Sequence, residues 1–218
     1  MPLMDLMARY PKTERAALLS ERAAVTEADR AVARQFGREY FDGPRHLGLG
    51  GYRYDPKFFG PVVEDMVDYY GLHNGSRILD VGCGKGFMLY DFKQVLPGAI
   101  VAGVDVSPYC LDNRMPGPLA LRLASCDELP YADRTFDLVV SIATIHNLDL
   151  AGVKRSLREM SRVSCRDCYV KVNGYRTDDE REALEKWNLV AKTILHVDQW
   201  LDVFRETGYD GDYSFFTP

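Results

Sequence analysis

The chain has 218 residues, of which 46% are hydrophobic and 27% charged, and its net charge at pH 7 is −5. This length suits one domain, or one domain with a small appendage. The acidic balance argues against a general nucleic-acid or anionic-membrane binder, because both need a basic face. We expect no membrane span, since no run of about 18 apolar residues occurs. Five scattered cysteines, an odd number, favour a reducing, cytoplasmic compartment.

The N-terminal quarter is predicted to be a helical appendage. Thr26 and Asp29 have the spacing of a capping box within a helical stretch over residues 13–41. An apolar stripe then recurs at every fourth residue: Ala28, Val32, Phe36 and Tyr40. Residues 42–55 are rich in glycine and aromatic residues, which indicates a loop. Pro61 suits the first turn of the helix that follows. We therefore divide the chain into N-terminal helices with a Gly/Tyr-rich lid over residues 1–60, and a core over residues 61–218.

From residue 76 onward, short apolar runs alternate with helical stretches. The runs are Arg77–Val81, Ile100–Val104, Leu119–Leu123, Phe136–Ile142 and Tyr169–Val172. Continuous apolar strands are covered on both faces, so the pattern predicts an α/β fold with a doubly wound, mostly parallel sheet. Near the end, Asp198 is the predicted N-cap of a helix that stops before Gly208, and residues 212–217 form a closing strand.

A glycine loop follows the first predicted strand. Asp80 precedes Gly82, Gly84 and Gly86, which stand at alternate positions, and a helix then begins beside them. Glycine permits a sharp turn and a close approach of ligand to backbone. Asp105 closes the next strand, where a carboxylate can accept both hydroxyls of a ribose. Taken alone, this loop allows a nicotinamide or an adenosyl cofactor, although dinucleotide enzymes usually have the spacing G-x-G-x-x-G.

Four segments separate these cofactors: ILDVGCGKG at 78–86, VAGVDVSPYCLD at 101–112, ELPYADRTFDLVVSIATIHNL at 128–148 and LREMSRV at 157–163. In order and spacing they resemble the class I S-adenosylmethionine-dependent methyltransferases, especially those acting on quinones and small metabolites. The resemblance implies a Rossmann-like methyltransferase fold with S-adenosylmethionine as cofactor. The usual final antiparallel hairpin is missing from the pattern, so we expect a shortened C-terminal end.

The same resemblance implies the cofactor-binding residues. They are Asp80, Gly82, Cys83, Gly84, Gly86, Asp105, Val106, Ser125, Cys126 and Ile142. Asp105 would hold the ribose, Val106 would pack on adenine, and the main chain near Ile142 would meet the cofactor ammonium. The family often has aspartate where this chain has Ser125, a weaker acceptor for the adenine amine, and Asp127 is a candidate substitute.

Two histidines are candidate bases or substrate contacts. His146 follows the fourth strand at the cofactor end, and His196 precedes the penultimate helix. For His146 the structural alternative is a histidine that merely caps the following turn. Cys165 and Cys168 form a lone CxxC pair without further ligands at a fitting spacing, so we predict no metal site.

Substrate contacts are expected on two rims of the site. They are Tyr52, Arg53 and Tyr54 in the lid, Asn147 after the fourth strand, and Asn173, Tyr175 and Arg176 after the fifth. A lid of this kind would exclude water from the reacting groups. Its structural alternative is a brace that pins the N-terminal helix to the core.

The sequence thus predicts an enzyme that moves a methyl group to an oxygen or nitrogen atom of a small molecule, a secondary metabolite or sugar-like compound. Methylation of a peptide or protein side chain is the first alternative. A non-catalytic cofactor-binding partner domain is the second, and a nicotinamide oxidoreductase is a distant third. The sequence leaves the oligomeric state open, with a homodimer as one option.

Overall fold

The computed structural model describes residues 2–11, 22 and 24–217. Its centre is a seven-stranded sheet in the order β3-β2-β1-β4-β5-β6, with β7 also pairing with β5. Every strand pairing in these ranges is parallel. The strands are β1 Arg77–Val81, β2 Ile100–Asp105, β3 Ala120–Leu123, β4 Phe136–Ile142, β5 Ser164–Tyr175, β6 Leu195–His196 and β7 Asp212–Phe216.

Helices connect the strands and precede the sheet. They are α1 Glu27–Ala33, α2 Arg38–Phe41, α3 Pro56–Tyr70, α4 Phe87–Val95, α5 Pro108–Asp112, α6 Leu150–Val163, α7 Asp178–Trp187 and α8 Val197–Thr207. Short 3-10 turns occur at Arg45–Leu47 and Ile145–Asn147. Because parallel strands need such crossovers, helix and strand alternate through the core as the sequence predicts.

Two hydrophobic clusters cover the two faces of the sheet. One packs α6 and α8 against strand residues that include Leu79 and Val81. The other packs α3 and α4 against residues that include Ile78. Neighbouring residues of β1 thus point to opposite faces of the sheet, and both faces are buried under helices. The predicted doubly wound α/β fold is confirmed.

The N-terminal appendage differs from the continuous helix predicted for residues 13–41. Residues 12–21 and 23 lie outside the described ranges. The capping box at Thr26 and Asp29 is present, and it opens α1. The helix then stops because Phe36 has a φ of 49°, in the left-handed region, and Gly37 caps the separate helix α2. The four-residue apolar stripe therefore spans two helices.

Three predicted boundaries were wrong. Helix α3 begins at Pro56, so Pro61 lies inside it instead of in its first turn. Helix α8 is capped by His196, not Asp198, although Gly208 ends it in the left-handed conformation as predicted. Strand β5 begins at Ser164, directly after α6 and five residues before the predicted run Tyr169–Val172.

The far edge of the sheet is completed by the N-terminal residues. Strand β7 pairs in parallel with β5, and Leu3 forms a parallel bridge to Tyr213 of β7. The Met4 amide donates to the Tyr213 carbonyl at 3.0 Å. No antiparallel hairpin occurs in the described residues, which agrees with the shortened C-terminal end. No helix in those ranges is both long and apolar enough to cross a bilayer.

Candidate active site

The glycine loop joins β1 to α4 at the carboxyl end of the sheet. Gly82, Gly84 and Gly86 all have positive φ, at 86°, 53° and 81°. A Cβ atom on Gly82 would lie 2.0 Å from Thr144 Oγ1, so no larger residue fits there. The loop therefore needs glycine for both its backbone conformation and its close packing.

The amides of this loop are already bonded within the protein. The N–H groups of Gly82 and Cys83 donate to the Val104 carbonyl at 2.8 and 3.0 Å. The Gly84 N–H donates to Asp105 Oδ2 at 2.7 Å. The buried Cys83 side chain packs against Gly103 of β2. A ligand on this loop would accordingly meet its carbonyl groups and the Asp80 carboxyl, not these three amides.

Asp80, the last residue but one of β1, is a buried carboxyl group without a hydrogen-bond partner in the described structure, and it is 5% exposed. Burial raises its pKa to about 8, and the nearby Asp105 adds to the effect. An isolated buried anion is costly unless a cation meets it. The ammonium group of S-adenosylmethionine is such a cation, so the residues present fit this cofactor.

The second acid, Asp105, ends β2 and is held by backbone donors. Besides Gly84, the Ser107 N–H donates to its Oδ1 at 2.9 Å. Next to it, Val106 is an apolar side chain that is 48% exposed. The pair offers a carboxylate for a ribose and a hydrophobic surface for a flat base, which is the arrangement that the resemblance implies.

At the predicted adenine end, Ser125 donates to Asp127 Oδ1. Asp127 also binds Arg155 at 2.7 Å, so its carboxylate is committed to these two partners. Cys126 is buried in the hydrophobic cluster under α6 and contacts Ser156. The Ser125 hydroxyl oxygen keeps its capacity to accept, whereas Cys126 serves the core.

The lid, residues 42–55, lies closed over the glycine loop. The ring of Tyr52 fills the space in front of Gly84, where an added Cβ would lie 2.9 Å from it. Asp42 accepts from Lys85 Nζ at 2.5 Å and from the Tyr109 hydroxyl at 2.6 Å. Lys85 is 7% exposed and belongs to the glycine loop itself. A buried ion pair therefore fastens the lid to the cofactor loop.

A cavity of about 620 Å³ lies beside this lid, within the usual range of small-molecule sites. Its walls include Phe87 at the start of α4 and Ile142 at the end of β4. It brings together six residues predicted for the site: Tyr52, Arg53, Ile142, His146, Asn147 and Asn173.

His146 is buried, at 3% exposure, and burial lowers its pKa to about 4. The backbone N–H of Asn173 donates a hydrogen bond to His146 Nδ1, with 3.4 Å between the two nitrogen atoms. The ring is therefore neutral at pH 7, and its hydrogen sits on Nε2. In this tautomer His146 is a hydrogen-bond donor toward the cavity.

Four predicted residues lie away from the lining described for this cavity. His196 caps α8 through Nδ1, and its Nε2 donates to the Arg176 carbonyl at 3.3 Å. The Tyr175 ring packs edge-on against His196, and Arg176 is exposed. The Tyr54 hydroxyl donates to Asp91 at 2.5 Å and braces the lid against α4. His196 thus caps a helix, which the sequence did not predict, and the Tyr54 contact agrees with the structural alternative of a brace.

Several residues that line the cavity were not predicted from the sequence. Residues 5–11 line it from the N-terminal segment, and residues 187–190 line it from the loop after α7. Lys85 is also unexpected, because its partner Asp42 is 43 residues distant in sequence. The one available signal was the lysine itself, a charged residue inside a glycine loop, which needs an acidic partner from elsewhere in the chain. Among the described residues, no group of three or more ligands could hold a metal ion.

A parallel sheet of this order, a glycine loop after β1 and an acid at the end of β2 are the features that the resemblance to the class I S-adenosylmethionine-dependent methyltransferases implies. Residues 79–170 match the family model described as a methyltransferase domain. This part of the chain is therefore similar to a methyltransferase domain, and S-adenosylmethionine is the cofactor that the match supports.

Similar proteins agree with this class. The chain is 28% identical over 120 residues to the ubiquinone/menaquinone biosynthesis C-methyltransferase UbiE of Citrifermentans bemidjiense, covering 51% of this chain and 50% of that protein. It is 29% identical over 134 residues to the malonyl-[acyl-carrier protein] O-methyltransferase of Legionella pneumophila, covering 58% and 45%. The chain spans about half the length of these curated relatives. The YcgJ protein from Bacillus subtilis shares the fold, with a TM-score of 0.56 at 17% identity over 66% of each chain.

Proposed function

We propose that this protein transfers the methyl group of S-adenosylmethionine to an oxygen or nitrogen atom of a small molecule. The cavity carries the proposal, because its lining includes Phe87, which directly follows the glycine loop, Ile142 at the end of β4, and the lid residues Tyr52 and Arg53. An acceptor bound there sits next to the place where the family holds its methyl donor. The predicted division into a lid-bearing region, residues 1–60, and a core, residues 61–218, belongs to this proposal.

The chain's own residues have three tasks in this reaction. Asp80 and Asp105 hold the cofactor, which supplies a methyl group that its sulfonium makes electrophilic. The lid residue Tyr52 excludes water from the loop. The cavity wall around His146 and Asn173 orients the acceptor, and alignment of this kind can contribute roughly 7–11 kcal/mol.

The closed lid favours a small acceptor over a peptide. The lid is fastened to the glycine loop by the contacts of Asp42 with Lys85 and Tyr109. The Tyr52 ring packs against Gly84. A peptide side chain would need an open groove at this position.

The test is transfer of a labelled methyl group from S-adenosylmethionine to a panel of small alcohols, phenols, acids and amines. We expect an extractable O- or N-methylated product, with His196→Ala as a control that retains activity. A product methylated on carbon, as the name of the UbiE relative describes for that protein, would replace the O/N assignment. Cofactor binding without any labelled product would contradict the proposed activity.

A further inference from the structure

The described polar wall of the cavity combines donors with a neutral histidine, and we find no free base among its residues. From this wall we infer that the acceptor is an organic acid, which binds as its anion and is methylated on a carboxylate oxygen. This inference rests on the proposed function and specifies its substrate class.

The first argument concerns His146, the residue expected to act as base. Nδ1 accepts the hydrogen of the Asn173 backbone N–H, so Nε2 carries the ring hydrogen. Nε2 has no hydrogen-bond partner among the described residues, and His146 lines the cavity. A ring in this state donates a hydrogen bond and has no free lone pair for a substrate proton. An alcohol acceptor would need that lone pair, whereas a carboxylate has no proton to lose.

The remaining acids and phenols of the described lining cannot replace it. Asp5 accepts from the Met7 amide at 3.2 Å and lies 3.7 Å from Lys171 Nζ. Asp55 caps α3 and binds Lys57 at 2.7 Å. Burial raises the pKa of Tyr10, and also those of Tyr40 and Tyr52. These phenols therefore stay protonated, and both carboxylates are already paired.

The second argument concerns the side-chain amide of Asn173, a donor in the cavity wall. Asn173 is 4% exposed and lines the cavity, and its side-chain amide makes no hydrogen bond with any described residue. This amide is therefore available to donate to a ligand in the cavity. A carboxylate can accept from the Asn173 amide and from His146 Nε2 with its two oxygens, which would satisfy both donors at once.

The third argument is charge. Four cationic side chains line the cavity: Arg22, Arg45, Arg53 and Lys171. The described lining also holds two acids, Asp5 and Asp55, so this part of the wall is net positive in a chain whose net charge is −5. Arg53 is exposed and belongs to this lining. A positive wall in an acidic protein favours an anionic ligand.

The rest of the lining indicates what the acid is attached to. Aromatic side chains dominate it: Tyr10, Tyr40, Tyr52, Phe58, Phe59, Phe87, Trp187, Phe215 and Phe216. Such rings stack on flat apolar groups and gain from burying them. The acceptor class is therefore a carboxylic acid with an aromatic or extended apolar body.

The chemistry balances without a proton transfer. A carboxylate oxygen forms the new O–CH₃ bond with its lone pair as the C–S bond breaks, and that electron pair remains on sulfur. One anion and one sulfonium cation become a neutral methyl ester and a neutral thioether. The two reacting groups lose their opposite charges in this step. A site that excludes water from them therefore favours the reaction.

Matched acceptors test the inference on the full chain. Benzoate, cinnamate and decanoate are compared with benzyl alcohol, cinnamyl alcohol and decylamine, using methyl-labelled S-adenosylmethionine. We expect at least tenfold faster labelling of the acids, in a product that mild alkali releases as labelled methanol. Preferential labelling of alcohols or amines would overturn the inference and leave the proposed function standing. No product from any class would overturn both.

Two substitutions at one position separate a donor from a base. His146→Gln keeps an N–H donor and should retain turnover within about threefold, whereas His146→Leu should raise the KM of the acid at least tenfold. With wild-type protein saturated with S-adenosylmethionine, kcat/KM for the acid should be level between pH 6 and 9. Equal losses in both variants, or a rate that rises with a pKa near 7, would show a base and overturn the inference.

Binding supplies a readout that does not depend on turnover. Cinnamate is titrated calorimetrically into the protein saturated with S-adenosylhomocysteine. We expect Arg53→Gln to weaken cinnamate about tenfold, and to leave cinnamyl alcohol within twofold. An equal effect on both ligands would show that charge does not select the acceptor.

Discussion

At the scale of single residues, two ionisable groups are held in their neutral form by burial. Asp80 has a pKa raised to about 8, and His146 has a pKa lowered to about 4. Both stand at the carboxyl ends of neighbouring strands, Asp80 in β1 and His146 just after β4. Each neutral form has a consequence that titration can reveal.

Cofactor binding should release a proton from Asp80. At pH 7 the free carboxyl is mostly protonated, and a bound ammonium would favour the ionised form. We expect release of close to one proton, measured by calorimetry in buffers of different ionisation enthalpy. Asp80→Asn should abolish the release and weaken binding about tenfold or more. Wild-type binding heats that do not depend on the buffer would contradict this role.

His146 should make the fold sensitive to acid. Its folded-state pKa lies below the ordinary value of 6.5, so its contribution is complete above pH 6.5 and is lost as pH falls toward 4. Between pH 7 and pH 4.5 the loss is roughly 2–3 kcal/mol. Urea unfolding should show this loss in the wild type and a smaller one in His146→Gln. Equal losses in both proteins would assign the acid sensitivity to other groups.

Gly82 tests the packing of the cofactor loop. An alanine Cβ would meet Thr144 Oγ1 at 2.0 Å, so Gly82→Ala should weaken cofactor binding at least tenfold. Gly117→Ala is the control, because Gly117 also has positive φ, at 108°, but its Cβ would meet open space. The control should lose about 1 kcal/mol of stability and keep its affinity. Similar affinities in the two variants would refute the packing argument.

At the scale of elements, the lid and the glycine loop behave as one unit. Asp42 belongs to the lid, Lys85 to the loop, and their ion pair is shielded by Tyr52 and Tyr109. Lys85 is buried and Asp42 is partly exposed, so removing Asp42 would leave the Lys85 ammonium without its carboxylate partner. We therefore expect lid opening to break this pair before the cofactor leaves.

Asp42→Asn should accordingly speed cofactor dissociation, by at least tenfold. Stopped-flow fluorescence can follow the release, since Trp187 lines the cavity. Glu39→Gln is a matched control that breaks an exposed pair with Arg38 in the same segment. Equal dissociation rates in the two variants would mean that the pair does not hold the lid.

The elements also show what the sequence could and could not predict. Alternating apolar runs predicted β1, β2 and β4 closely, because buried parallel strands have few other patterns. The helix break near Phe36 was not predicted, because this residue has positive φ although it is not a glycine. His196 was a candidate base from its position beside a helix start, and the structure shows the cap that such a position also favours.

At the scale of the whole molecule, the cavity is assembled from distant parts of the chain. Local patterns predicted His146, Asn147 and Asn173, because strand ends in a parallel sheet share one edge. The walls at residues 5–11 and 187–190 depend on long-range docking, which includes the bridge from Leu3 to Tyr213. No short-range pattern encodes such contacts.

The most direct test of this account is a crystal structure with S-adenosylhomocysteine. We predict its amino group at Asp80, its ribose at Asp105, and its sulfur at the end of the cavity that His146 and Asn173 line. The lid should remain fastened by Asp42 and Lys85. A ligand whose sulfur faces away from this cavity, or one bound outside the glycine loop, would contradict the proposed site.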